Sequence, residues 1–183
     1  MSYAYRIKLE RLSSIVEQKG SWKTSLMDLL SASEMLALLK EELIQQGWQE
    51  IEGKLITDIN GIQCELSADG SEVQAHLHSE VSVGHTVIGD SDDSHQLKQA
   101  RLQQGLIEQN DKLQKEEQKS NRQLTEQLLG IETEVKGVID KATHQAHAKA
   151  LEIKASRLGE IKSIQSSHGV DGELEISIHV KLR

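Results

Sequence analysis

His76 and His78 stand two residues apart, the spacing that sets two imidazoles on one face of a strand. With a third group such as His85 or Glu80 they would hold a metal ion and activate water, the chemistry of a metal-dependent hydrolase. Such a site needs further donors converging from elsewhere, and the spacing by itself reads first as a solvated polar face. His144 and His147 lie one helical turn apart but lack the Glu and the four-residue spacing of a zinc-protease helix. Asp90, Asp92 and Asp93 are dense enough for a calcium loop yet lack its glycine and its distal glutamate, so a charged linker is the better reading. Cys64 shares its alternation with Ile62 and Leu66 and reads as a small buried hydrophobe before it reads as a nucleophile. No glycine-rich phosphate loop, Gly-x-Ser-x-Gly elbow or Cys-x-x-Cys pair occurs. No catalytic, cofactor-binding or metal-ligating set is assigned, and the expectation is a non-enzymatic protein without a cofactor.

Composition narrows the classes further. The 183 residues include no Phe and no Pro, and the aromatics are Tyr3, Tyr5, Trp22 and Trp48 alone. A core must therefore be aliphatic, and a base-stacking surface lacks its material. The net charge of −8 is uneven: residues 1–94 hold 7 basic and 16 acidic side chains, residues 95–164 hold 12 and 10, and residues 165–183 hold 2 and 3. An acidic head repels phosphate backbones, and a mixed-charge arm has no basic stripe, so nucleic acid is not expected as a partner. The longest apolar run is Met35 to Leu39, which excludes membrane insertion through a helix, and the charged start has no signal-peptide character. A lone Cys64 fits a reducing cytoplasm.

Two kinds of element must position whatever the chain does. Tyr3, Tyr5, Ile7 and Leu9 alternate with polar residues and predict a strand; residues 11 to 30 are ambiguous. Ser31, three before Glu34, has the spacing of a capping box, and Met35, Leu38, Leu39 and Leu43 then share one helical face until Gly47. Asn60-Gly61 between runs at 54–59 and from Ile62 predicts a tight hairpin, Asp69-Gly70 a second turn, and Val73 to Val83 a third strand. Gly84 to Ser94 reads as a polar linker whose Asp or Ser caps the next helix. Residues 174 to 182 alternate through Leu174, Ile176, Ile178, Val180 and Leu182, after turn glycines Gly169 and Gly172, and are expected to rejoin the N-terminal sheet.

Between them lies an arm, residues 95–164, with no proline and few turn signals. Leu124, Leu128, Ile131, Val135 and Val138 step by fours and threes, a heptad seam. Between Glu108 and Gln123 the one apolar residue is Leu113, so the stretch is either the exposed tip of a helical hairpin, which is the preferred reading, or a solvated bridge. Acid-before-base pairs such as Glu108 with Lys112 and Glu132 with Lys136 suit a solvated helix face. The fold class is thus α+β: a small, mostly antiparallel sheet with one packed helix in a head, 1–94; a long inserted helical arm, 95–164, as hairpin or coiled coil; and a final strand, 165–183. The partner-binding candidates are Leu113, Leu124, Leu128, Ile131, Val135 and Val138. A self-assembling coiled-coil structural protein, and the hydrolase built on His76 and His78, are the alternatives.

Ala4-Tyr5-Arg6-Ile7 at the start, Glu34-Met35 through Leu38-Leu39 and Glu42-Leu43 to Gly47-Trp48, and Leu158-Gly159-Glu160-Ile161-Lys162 before Gly172-Glu173-Leu174-Glu175-Ile176 together resemble the accessory domains of bacterial FtsH ternary systems. Where that family favours a proline near Leu30 and a Phe after the helix-ending glycine, this chain has Ser31 and Trp48. The resemblance implies a cytoplasmic bacterial protein encoded beside an FtsH-like AAA ATPase, its expected partner, in systems of conflict or stress. It supplies no catalytic residues. An adaptor or client-binding component, with self-association open, is the function it implies.

Overall fold

A computed structural model describes residues 3–168 and 174–182. The chain runs β1 (Ala4–Lys8), β2 (Leu12–Lys23), α1 (Ala32–Gln45), β3 (Gln49–Ile51), β4 (Lys54–Ile59), β5 (Ile62–Leu66), β6 (Glu72–Val83), β7 (Thr86–Asp90), α2 (His95–Leu158), β8 (Gly159–His168) and β9 (Leu174–Leu182). It is an α+β fold, as the alternating and helical periods predict. Five strands form one sheet in the order β2-β6-β5-β4-β3, while β1 with β7 and β8 with β9 form two-stranded sheets. The ambiguous stretch after residue 11 is the long strand β2.

The local signals hold where chemistry dictated them. Ser31 and Glu34 form a capping box at the start of α1, Glu34 accepting from the Ser31 amide at 3.0 Å. The Ser31 hydroxyl, which donates to Glu34 Oε2 at 2.6 Å, then Arg157 and the Ser31 amide, lower the Glu34 carboxyl to about 2. Asn60 and Gly61 take φ of 54° and 82° and pair Ile59 with Ile62, the two-residue turn that Asn-Gly favours. Glu52-Gly53 does the same between β3 and β4.

Four expectations are corrected. The arm is no hairpin: α2 is one helix of 64 residues, because the polar stretch is rich in Gln, Glu and Lys, which form helix well, and has no Gly or Pro to break it. Residues 159–164, placed in the arm, begin β8. The segment expected as a linker contains β7, whose Thr86, Val87 and Ile88 are β-branched and pair with β1. β9 pairs with β8 in its own sheet rather than rejoining the larger one, and its Ile176 and Ile178 are half-buried rather than core residues. The turn expected at Gly169 and Gly172 lies outside the described residues. Gly159 serves this last pairing, since a Cβ there would stand 2.2 Å from the Lys181 carbonyl oxygen.

Two compact units divide the chain, residues 1–19 with 76–129 and residues 20–75 with 130–183. This is not the head-and-arm division, since α2 contributes to both. In the second unit Met35 and Leu38 of α1 pack with Ala146 and Ala150 of α2, and Leu26, Leu29, Leu30 and Ile153 lie against them. Two alanines at four-residue spacing let the helices approach closely. Glu42 of α1 is buried, with Lys149 Nζ at 2.6 Å from its Oε1 and 2.9 Å from Glu41 Oε1, a contact of charges rather than an aligned hydrogen bond to Glu42. Glu42 first and Glu41 second raise the Lys149 pKa. In the same unit Cys64 is fully buried, and burial pushes its thiol up to about 11, which suits a core residue and not a nucleophile.

The buried face of α2 has a period of its own. Ser120, Leu124, Leu128, Ile131, Val135, Ile139, Ala142, Ala146 and Ala150 are all buried, in steps of four, four and three. That is an 11-residue repeat, 3.67 residues per turn, which stays in phase with a nearly straight helix where a heptad would drift. The heptad reading put Val138 on the seam; the structure half-buries Val138 and buries Ile139.

Candidate interaction cleft

In the first unit, among the described residues, β7 pairs only with β1. Leu9 donates its amide to the His85 carbonyl and Ser91 to that of Tyr3, each within 2.9 Å. With Ile7 opposite Val87 and Tyr5 opposite Gly89, the ladder's alternation makes these the hydrogen-bonded pairs. Thr86, Ile88 and Asp90 must then turn their peptide groups away from β1, to an outer edge. Side chains meet that edge instead of a strand: Arg101 Nη1 donates to the Ile88 carbonyl at 3.0 Å, and Asp93 Oδ2 accepts from the Asp90 amide at 2.9 Å.

The start of α2 is held against this edge by one carboxylate. Asp93, its side chain 7% exposed, takes Arg101 Nε at 3.1 Å on Oδ2 and Arg101 Nη2 at 3.4 Å on Oδ1, a forked geometry that a lysine could not give. The Tyr5 hydroxyl donates to the same carboxylate at 3.4 Å, and Lys98 sits 5.6 Å from the centre of the Tyr5 ring. Desolvation, and then the Asp93 charge, raise the Tyr5 pKa. The ring lies across Gly89, where a Cβ would fall 2.2 Å from Cζ. Ser94 caps α2, accepting from the Leu97 amide at 3.3 Å, as its place before the helix suggested.

One turn further on, Gly105 brings the helix close to β7, for a Cβ there would stand 2.4 Å from Val87 Cγ2. Gln109, buried although it lies in the polar stretch, donates through Nε2 to the carbonyls of Glu10 at 2.8 Å and Val83 at 3.1 Å. The polar stretch is therefore not an exposed tip: an amide that satisfies two strand carbonyls is buried without being apolar. Between the outer edge and the helix lies an open cleft of about 550 Å³, lined by His85, Thr86, Val87, Ile88, Ala100, Arg101, Gln104, Gly105 and Glu108. At its floor His85 stands between Glu108, 3.4 Å from Nε2, and Lys112, 3.1 Å from Nδ1.

The sequence pointed elsewhere. Leu124, Leu128, Ile131 and Val135 are buried within the chain, and Leu113 and Val138 are half-buried, so this apolar seam is packed on the chain itself and is not a free partner surface. His76 and His78 are exposed on β6, and among the described residues no three His, Cys, Asp or Glu side chains gather as a metal site would need. Asp93 is taken up by Arg101. Arg101, Gly105 and Gln109 were missed; the one signal available was Gly105, since a glycine inside a helix marks a close approach.

His147 has a definite task in the second unit: its Nε2 accepts the Met27 amide at 3.0 Å. Burial first, and the nearby His144 second, lower its pKa from 6.5. The unfolded chain therefore takes up the proton first as pH falls. The contribution of this bond is present above 6.5 and is lost as pH drops through the folded value. Thermal melts across this window should show falling stability on acidification, with faster hydrogen exchange at Met27, and His147→Gln should flatten the dependence; an unchanged pH profile in that variant would remove His147 as its source.

A family match extends along this architecture. The family model of FtsH ternary system domain X5 covers residues 1–182. The chain belongs to that family. No curated protein and no solved structure matches it. Membership of the X5 family makes this a domain of an FtsH ternary system. No helix among its described residues is long and apolar enough to cross a membrane.

Proposed function

We propose that this X5 domain is a non-enzymatic adaptor, acting with an FtsH-like AAA ATPase in the cytoplasm, and that it holds an extended segment of a protein partner along β7. The observation that carries the reading is the outer edge of β7, with Ile88 55% exposed and its carbonyl bonded by an arginine side chain in place of a neighbouring strand. An open edge beside a helix-lined cleft is the setting in which a peptide adds as a strand, its backbone supplying affinity and its alternate side chains specificity. The cleft lining supports a binding role over a catalytic one: Thr86 carries its one hydroxyl, and both nitrogens of His85 already have charged neighbours. The coiled-coil reading loses its basis, because the seam it needs is buried within the chain.

The test is association of the purified domain with the ATPase of its ternary system, followed by titration with Ile88→Pro. The Ile88 amide faces outward, so proline there removes the donor a peptide would use while leaving the β1 ladder intact, and edge strands tolerate proline. Binding should weaken by about tenfold or more with the fold retained. Equal binding by Ile88→Pro would exclude the β7 edge; no association of the unaltered domain with ATPase or client would end the adaptor reading.

A further inference from the structure

Among the described residues the sheet of β8 and β9 contains two strands, and sheets of that size are marginal in water unless something covers or extends them. Its apolar side chains are incompletely covered: Ile161, Ile176, Ile178 and Val180 are half-buried, and Ile164 is 43% exposed. No strand lies on the outer edge of β9 among the described residues, and β9 is long and free of proline, which makes it a template for another strand.

The order of residues along β9 says which strand. Read outward from Ile178, it has Ser177 and His179 at one residue, Ile176 and Val180 at two, and the acid Glu175 and the base Lys181 at three. Glu175, Ser177, His179 and Lys181 are exposed. The strand is thus apolar-symmetric and charge-antisymmetric about its own centre. Laid antiparallel on a copy of itself about a two-fold axis at Ile178, it sets Glu175 opposite the partner's Lys181 at both ends and Ile176 opposite the partner's Val180. A parallel pairing would put Glu175 against Glu175 and Lys181 against Lys181. β8 lacks the property, because its charges Glu160 and Lys162 lie together at one end and meet only if a few residues overlap. Lys181 already faces Glu160 across the β8–β9 ladder, so the pairing extends one row of alternating charge from strand to strand.

We propose that the outer edge of β9 is a self-association surface, taken by β9 of a second copy of this chain in antiparallel register about Ile178. The product is a four-stranded sheet with one continuous apolar face. It uses no part of the β7 cleft, so the two proposals stand or fall separately.

Sedimentation equilibrium of the full chain tests it. The unaltered chain should show a monomer–dimer equilibrium that weakens with added salt. Glu175→Lys and Lys181→Glu each set like charges opposite one another at both ends, so each variant alone should dimerise on the order of tenfold or more weakly. An equimolar mixture of the two sets unlike charges opposite one another and should recover a heterodimer. This recovery also shows that neither variant had merely misfolded. A chain that stays monomeric, variants that dimerise as well as the unaltered chain, or a mixture that stays monomeric would each overturn the proposal.

Discussion

Replacing Val135 by Asp is expected to unfold the second unit. Val135 is fully buried on the face of α2 that the chain itself covers. A carboxylate placed there loses its hydration with no cation built to receive it, a cost of several kcal/mol, against a total stability of about 5–15 kcal/mol for a domain of ordinary size. Had the seam been a surface for other chains, the same substitution would have produced a folded monomer. Chemical denaturation with size-exclusion chromatography separates the outcomes: loss of the cooperative transition fits an intrachain seam, and a folded, smaller species contradicts it. The same series tests the period of the seam. Asp at 139 should be far more damaging than Asp at 138, because the 11-residue spacing buries Ile139 and leaves Val138 half-exposed; the reverse order would restore the heptad.

Trp48→Ala should cost roughly 3–5 kcal/mol, the usual range for a buried large aromatic. In a chain with two tryptophans and no phenylalanine, Trp48 is a buried aromatic just past the end of α1. Gly47, at φ +97°, turns the chain so that its own amide reaches the Ile44 carbonyl at 3.0 Å and the Trp48 amide reaches that of Leu43 at 3.1 Å. This double closure places Leu43 and Trp48, both buried, at the two positions whose side chains commonly meet at such a helix end. Trp48→Phe keeps part of the ring's volume and should cost clearly less than Trp48→Ala. Denaturant midpoints of the two variants decide it: near-equal losses would mean that the ring's volume is not what holds the site.

The sequence could be read wherever a few adjacent residues settle the matter. Ser31 with Glu34, Asn60-Gly61, Gly47 and the alternation of Ile62, Cys64 and Leu66 each act through bonds or dihedrals within a turn or so, and each forms as its chemistry requires. Family membership could be read in the same way, from motifs at both ends of the chain. The cleft could not. Its parts, Ile88, Arg101, Asp93 and Gly105, are ordinary residues for a strand, a solvated helix, a linker and a helix interior.

What the sequence by itself determined was the α+β class, a long helical arm and an apolar stripe along it. What it left open was the mate of that stripe. An amphipathic helix gains the same free energy by burying its face on a second helix, another chain or a sheet, because apolar burial has no direction. The tertiary structure chose the chain's own packing, and with it the 11-residue period, since a long helix held along its length keeps one face inward only if the repeat matches its own 3.6 residues per turn. The same holds for polar Gln109, which is buried because two strand carbonyls, distant in sequence, happen to end where its amide can reach them.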